Sequence, residues 1–273
     1  MNFRTAGAAF FKATKKIGQS FFEESHKEHK ERKQRAQKIH TSGDYRTWIS
    51  AFHVATKPET YFEIGVAKGE TLALASLGTR VLGIDPNPEI INNLPAPTQL
   101  FKQPSDLFFE HHDISDIVGA SPDLAFVDGL HEFQQAYRDI INTALNSKDD
   151  AVILVHDVLP VDQKSASPER KTRHWPGDVY KAIAFIKDNI PSLHITLIYA
   201  YPTGLAFIAG CGHLKAKQDD LQKVAHVLKD YQSLTVDDYY SDYVAHITQV
   251  RNTSEPIHSV VADLLEDRNL DTR

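Results

Sequence analysis

Four residues in the middle of the chain carry the strongest chemical signal. Asp128 and His131 stand in Val127-Asp128-Gly129-Leu130-His131, and His156 and Asp157 stand in Val155-His156-Asp157-Val158. Each stretch ends a short apolar run, Leu124–Val127 or Val152–Val155, that reads as a buried strand. In an open parallel sheet the C-terminal ends of the strands face the ligand crevice. If these two strands are neighbours, Asp128 and Asp157 converge there. Two carboxylates at one point invite a hard divalent cation such as Mg²⁺, which binds substrate oxygens and lowers the pKa of a hydroxyl. His131 is suited to take the proton from that hydroxyl, because imidazole titrates near neutral pH. The competing reading makes Asp128 the cap of a following helix and His131 a surface residue.

A second constellation lies upstream, in Tyr61-Phe62-Glu63-Ile64-Gly65-Val66-Ala67-Lys68-Gly69. Its glycines allow a tight turn and a close approach to a ligand. The spacing is G-x-x-x-G, which differs from the G-x-G-x-x-G of pyrophosphate binders. Glu63, just before the loop, suits a cationic or amino-bearing ligand. Asp85 ends the next strand-like run, where a carboxylate can accept both hydroxyls of a ribose.

These residues need a scaffold, and its pattern is regular. Strand-like runs at Tyr61–Ile64, Val81–Ile84, Gln99–Phe101, Leu124–Val127 and Val152–Val155 alternate with helix-like stretches near 69–77, 88–93, 105–111 and 132–146. That alternation predicts a parallel sheet with helices on both faces. After a helix near 178–189, the runs Leu193–Ala200 and Leu205–Ala209 flank the turn Tyr201-Pro202-Thr203-Gly204. So short a link makes them an antiparallel hairpin. A helix over Tyr45 to Ala55 is expected before the first strand.

The E-x-G-x-x-x-G loop, the acidic end of strand two and the closing hairpin resemble the class I S-adenosylmethionine-dependent methyltransferases over about residues 45–210. The resemblance implies an α/β, Rossmann-like seven-stranded methyltransferase sheet, five parallel strands plus the C-terminal hairpin. It implies that Glu63, Gly65, Val66, Ala67, Gly69 and Asp85 hold S-adenosylmethionine, with Ser105 and Asp106 near the adenine. D-G-x-H followed by H-D is similar to a subgroup that includes metal-dependent sugar O-methyltransferases. There the strand-four Asp and an acidic pair on strand five bind Mg²⁺, and the histidine is the base. The resemblance makes Asp128 and His131 catalytic and Asp128, Asp157 and His156 the metal set. The sequence departs from the pattern by carrying His156-Asp157 in place of Glu-Asp. Trp175-Pro176-Gly177-Asp178 also fits the subgroup. The polar, aperiodic stretch 161–174 before it reads as a lid over the acceptor, with Arg170, Lys171 and Arg173 suited to an anionic or sugar-phosphate acceptor.

Bulk properties narrow the class. The chain has 273 residues, 41% hydrophobic, enough for a sizeable core. One cysteine, Cys211, excludes an internal disulfide or a cysteine zinc cluster and fits a cytoplasmic setting. Residues 1–40 hold ten Lys/Arg and four acidic residues, a net +6, so with −6 overall the remainder carries −12. An acidic body argues against a nucleic-acid partner. The first segment is helix-like, with Phe3, Phe10, Phe11, Ile17, Phe21 and Phe22 among lysines; it suits an anionic membrane surface, a partner, or solvent. Three regions follow: a basic helical extension (1–42), the S-adenosylmethionine-binding domain (43–213) and a polar helical C-terminal extension (214–273). The expected activity is methyl transfer to a small-molecule hydroxyl. The rivals are hydroxylase-like or NAD-linked chemistry on the same scaffold, and a cofactor-binding or membrane-associated module. A homo-oligomer is compatible with all of them.

Overall fold

The computed structural model describes residues 23–95, 97–216, 221, 225–251 and 254–270. The aromatic, lysine-rich face expected over Phe3 to Phe22 lies outside the described residues.

The sheet is built from β1 (Thr60–Ile64), β2 (Arg80–Ile84), β3 (Thr98–Phe101), β4 (Leu124–Val127), β5 (Val152–His156), β6 (His194–Ile198), β7 (Leu205–Ala209) and β8 (Thr248–Val250). Their order is β3-β2-β1-β4-β5-β7-β6-β8. The first five are parallel, and β7 runs antiparallel to both β5 and β6. This is the mixed α/β sheet, five parallel strands and an antiparallel closing pair, expected from the runs of apolar residues. Strands β1, β4, β5 and β7 are buried along their whole length, as β-branched and aromatic runs covered on two faces must be.

One face is covered by α5 (Phe133–Asn146) and α6 (Tyr180–Asn189), which bury Phe133, Ile140, Ile183 and Phe185 against Phe62, Ala125 and Ile153. On the other face α2 (Tyr45–Thr56) buries Trp48, Ile49 and Phe52 against Tyr61, Phe126 and Phe207. The remaining helices are α1 (His26–Ile39), the short α3 (Ser105–His111), α4 (Ile114–Val118) and α7 (Cys211–Ala216), and the last, α8 (Ile257–Leu270).

Three expectations need correction. The sheet has eight strands, since β8 pairs parallel to β6 through Thr196, Leu197 and Ile198. The C-terminal segment is therefore not only helical: it covers an edge that would otherwise expose unpaired backbone groups, and α8 adds Val261 and Leu264 to the core under α2. The helix expected over 69–77 is a single turn, Leu72–Leu74, bounded by positive-φ Gly69 and Gly78. The one expected over 88–93 does not form. Pro86, Pro88, Pro95 and Pro97 crowd that stretch, fixing φ and removing donors.

The part of the N-terminal segment within the description is α1, capped by Ser25 with reciprocal bonds to Glu28. Its polar sequence conceals a buried ionic contact. Glu24 and Arg32 are both 6% exposed and paired, and Arg32 Nε also meets Asp162 Oδ2 at 2.9 Å. No described helix is long and apolar enough to cross a membrane.

Candidate functional site

β1 delivers Glu63, Ile64 and then the loop Gly65–Gly69, in which Gly65, Ala67 and Gly69 take positive φ of 90, 45 and 75 degrees. Gly65 is required by its neighbour. A Cβ there would stand 1.9 Å from the carbonyl oxygen of Asp128, so the turns after β1 and β4 touch backbone to backbone. The loop is then tied to the end of β2. Asp85 accepts from Ala67 N at 2.8 Å and from Asn87 N at 2.7 Å. Glu89 N donates to Ala67 O at 2.8 Å, and Asn92 Nδ2 to Lys68 O at 2.9 Å.

Not every residue of this motif faces outward. Val66 is a core residue at 2% exposure. Glu63 is fully buried, accepting from Tyr61 Oη and Thr71 Oγ1 at 2.7 Å each. Burial pushes its pKa up to about 8, with the Thr71 and Tyr61 hydrogen bonds opposing. It fastens β1 to the turn beyond the loop. Asp85 is half-buried at the loop rim.

Ser105 and Asp106 open α3 and join it to α5. Ser105 Oγ donates to Asp139 Oδ1 at 2.6 Å, and Asp106 takes two bonds of 3.1 Å from the Arg138 guanidinium. Asp139, which sequence reasoning missed, is buried, and burial pushes its pKa up to about 7. Its Oδ2 lies 3.1 Å from where a Gly129 Cβ would be, directly under the turn after β4.

The strand-end cluster forms because β4 and β5 are adjacent in register, Val127 opposite Val155. His131 Nδ1 lies 3.1 Å from Asp157 Oδ2, and its Nε2 3.5 Å from Asp128 Oδ1. His156 Nδ1 lies 3.3 Å from the same Asp128 oxygen. Asp157 holds φ +66, a conformation that Asp tolerates better than most side chains. Thr203 donates to Asp157 Oδ1, and Tyr45 stacks on His156 at 4.1 Å between ring centres. Trp175 stacks on His131 at 5.1 Å.

These contacts set the charge states. Burial alone would lower the His131 pKa, but the Asp157 charge, with Asp128 hydrogen-bonded to the ring, raises it to about 9. Burial likewise opposes a charged His156, and Asp157 and Asp128 overcome it in the same direction. Burial would raise the Asp128 pKa, yet His156 and His131 hold it well below the usual carboxylate range. At neutral pH the carboxylates on either side therefore favour the imidazolium form of His131. The ligand atoms of Asp128, His131 and Asp157 lie within 4.8 Å of one another. His131, where His156 was expected, completes that group. Thr203 was missed, although its signal was present: antiparallel pairing of His156 with Leu205 brings the hairpin turn to the end of β5.

Above the cluster opens a cavity of about 320 Å³, bounded by Asp128, His131 and Asp157 below and by Arg170, Arg173 and Trp175 above. Of the expected lid, 161–174, Arg170, Arg173 and His174 line its rim; Lys171 does not. α1 pins the rim: Arg173 N donates to Glu24 Oε2 at 2.9 Å, and His29 stacks on His174 at 5.1 Å.

Comparison with known proteins agrees with this architecture. Residues 62–158, about a third of the chain, match a family described as a methyltransferase domain. No curated protein matches. Solved structures similar to the chain include an O-methyltransferase from Bacillus cereus in complex with SAH: 14% identity, 60% of this chain and 80% of that one, TM-score 0.47. Another is the O-methyltransferase TomG from Streptomyces achromogenes, at 12% identity, 70% and 92% coverage and TM-score 0.45. A third is the N-methyltransferase NodS from Bradyrhizobium japonicum WM9, at 13%, 60% and 92%, with TM-score 0.40. The matched stretch spans β1 to β5 and is a methyltransferase domain.

Proposed function

We propose that the enzyme transfers a methyl group to a hydroxyl of a small molecule, a sugar, glycoside or similar metabolite, bound over Asp128, His131 and Asp157. The observation that carries this reading is the meeting of two carboxylates and an imidazole at the ends of adjacent strands, on the floor of a ligand-sized cavity. S-adenosylmethionine supplies the methyl group on its sulfonium sulfur. The loop Gly65–Gly69 lines its site, and each Asp85 oxygen keeps a lone pair beyond its backbone bond for the ribose hydroxyls. Ser105 and Asp106 act near the adenine by fixing α3 beside the turn after β4.

The donor set fits a divalent cation that Asp128 and Asp157 would hold, with His156 Nδ1 3.3 Å from Asp128 Oδ1 and 3.6 Å from Asp157 Oδ1 as the third donor, leaving His131 as the base. A cation held there would supply Lewis acidity to the acceptor oxygen. His131 can accept the hydroxyl proton only as neutral imidazole, and its carboxylate neighbours favour the protonated form up to about pH 9. Neutralising their charge lowers that pKa toward the working range. Trp175, stacked on the ring and accepting at its backbone oxygen from His131 Nδ1 at 2.7 Å, holds the imidazole in place. Positioning of the two reactants supplies much of the rate.

Calorimetry with S-adenosylhomocysteine tests the cofactor, and an absence of binding refutes it. Screening hydroxylated acceptors by S-adenosylhomocysteine release tests the reaction, and a product methylated on nitrogen or carbon overturns the oxygen assignment. Added Mg²⁺ should move the rise of rate with pH to lower pH; activity that survives exhaustive chelation excludes the metal.

A further inference from the structure

The cavity is charged unevenly. Its floor carries Asp128 and Asp157, and its rim carries the guanidinium groups of Arg170 and Arg173. Among the described residues no carboxylate lies within ion-pair distance of the Arg173 guanidinium, whose Nη1 instead rests 3.2 Å from His26 Nδ1. Arg170 lines the same rim, its Nη2 3.4 Å from the Arg173 carbonyl oxygen. Both stand in a body, residues 41–273, whose net charge is −12. The rim is also built in advance. Thr172 Oγ1 donates to His174 O at 2.6 Å, Trp175 Nε1 to Ser167 O at 2.6 Å, and Arg173 N is fixed on buried Glu24. A preorganised arginine fork suits oxyanions, which it can meet with two parallel N–H donors.

We propose that the cavity takes a small hydroxyl compound bearing an oxyanion, a phosphate or a carboxylate, which Arg173 and Arg170 hold at the rim while its hydroxyl reaches His131 at the floor. The charge gradient fixes the orientation. At the floor Asp128 and Asp157 are already paired with His131 and His156, so the Arg173 guanidinium, with no carboxylate at ion-pair distance among the described residues, draws the anionic end to the rim and leaves the hydroxyl end to the floor. At about 320 Å³ the cavity lies near the lower limit of ligand pockets, roughly 300–1,000 Å³, which suits a single ring beside Trp175. Only the hydroxyl end of this proposal rests on the methyltransferase reading; the anion end rests on the arginines.

The test uses the full chain and simple probes: inorganic phosphate, acetate and uncharged glycerol, read by calorimetry and by the emission of Trp175. The expected result is saturable binding of phosphate or acetate, at least ten-fold tighter than glycerol. Whichever anion binds more tightly identifies the group. Arg173→Ala should remove that preference, Arg173→Lys should restore part of it, and S-adenosylhomocysteine affinity should stay unchanged in both. Equal binding of all three probes, no binding of either anion, or a preference that survives Arg173→Ala in a folded variant overturns the proposal. An intact anion preference in a protein that does not bind S-adenosylhomocysteine supports the anion site and strikes the methyltransferase reading alone.

Discussion

The proposed cofactor side and the proposed acceptor side of this protein are built by different means. Around Gly65–Gly69 the chain is shaped by its own backbone: positive-φ turns, a carbonyl of Asp128 where a side chain would stand, and Asp85 accepting from amides. Around His131 the chain is shaped by side-chain charge: two carboxylates, two histidines and a rim fastened to α1 through Glu24, Arg32 and Asp162. The first arrangement is local in sequence and short of titratable freedom. The second joins residues more than a hundred positions apart, and its charge states depend on one another. Substitutions on one side should therefore leave the other largely untouched.

The largest expected effect is on the acceptor side. His131→Ala should cut turnover by about 10²–10⁴-fold while leaving S-adenosylhomocysteine affinity within a factor of two. Turnover equal to that of the parent, measured as S-adenosylhomocysteine release with an active acceptor, would remove His131 from the chemistry. Glu24→Ala leaves the buried Arg32 with Asp162 alone and frees Arg173 N. A loss of about 3–5 kcal/mol in urea unfolding is expected, with a higher acceptor KM and an unaltered affinity for S-adenosylhomocysteine. A weakened cofactor affinity would instead join the two sides.

The cofactor side should fail differently. His53 is buried edge-on to Tyr61 under β1, and burial lowers its pKa to about 4. The unfolded chain binds a proton near pH 6.5 that the folded chain refuses until about 4. Stability attributable to His53 is thus intact above 6.5 and lost as pH falls toward 4, by about 3 kcal/mol. Replacing His53 with Leu should flatten the acid limb of a stability–pH curve by that share; an identical curve refutes the assignment. The smallest effect belongs to Asp85→Asn, which should weaken S-adenosylhomocysteine binding about ten-fold, worth about 1.4 kcal/mol, and leave phosphate or acetate binding alone.

This division also decides what the sequence made legible. Strands were readable because β1, β4 and β5 are short apolar runs buried on both faces. Asp128 and Asp157 were readable because strand ends meet at one rim of a parallel sheet. The helices expected after β1 and β2 were misread: apolar residues such as Leu72, Leu74 and Ile90 have helical spacing, but they serve as a cover packed on the loop. β8 and the Glu24–Arg32–Asp162 contact were beyond reach, since three residues of edge strand and a charged pair in a polar run leave no periodic trace. The protonated state of His131 was likewise hidden, because it depends on the distance to Asp157 and not on the D-x-x-H spacing.

The C-terminal helix has a consequence for the order of synthesis. Trp48, Ile49 and Phe52 are covered in part by Val261 and Leu264 of α8, more than two hundred residues later. While the ribosome is still making residues 60–210, that apolar face of the nascent sheet has no complete cover. The cofactor loop beside it can close early, but the domain reaches its finished core only after residue 264 has left the exit tunnel. Until then the nascent chain presents a surface for chaperones.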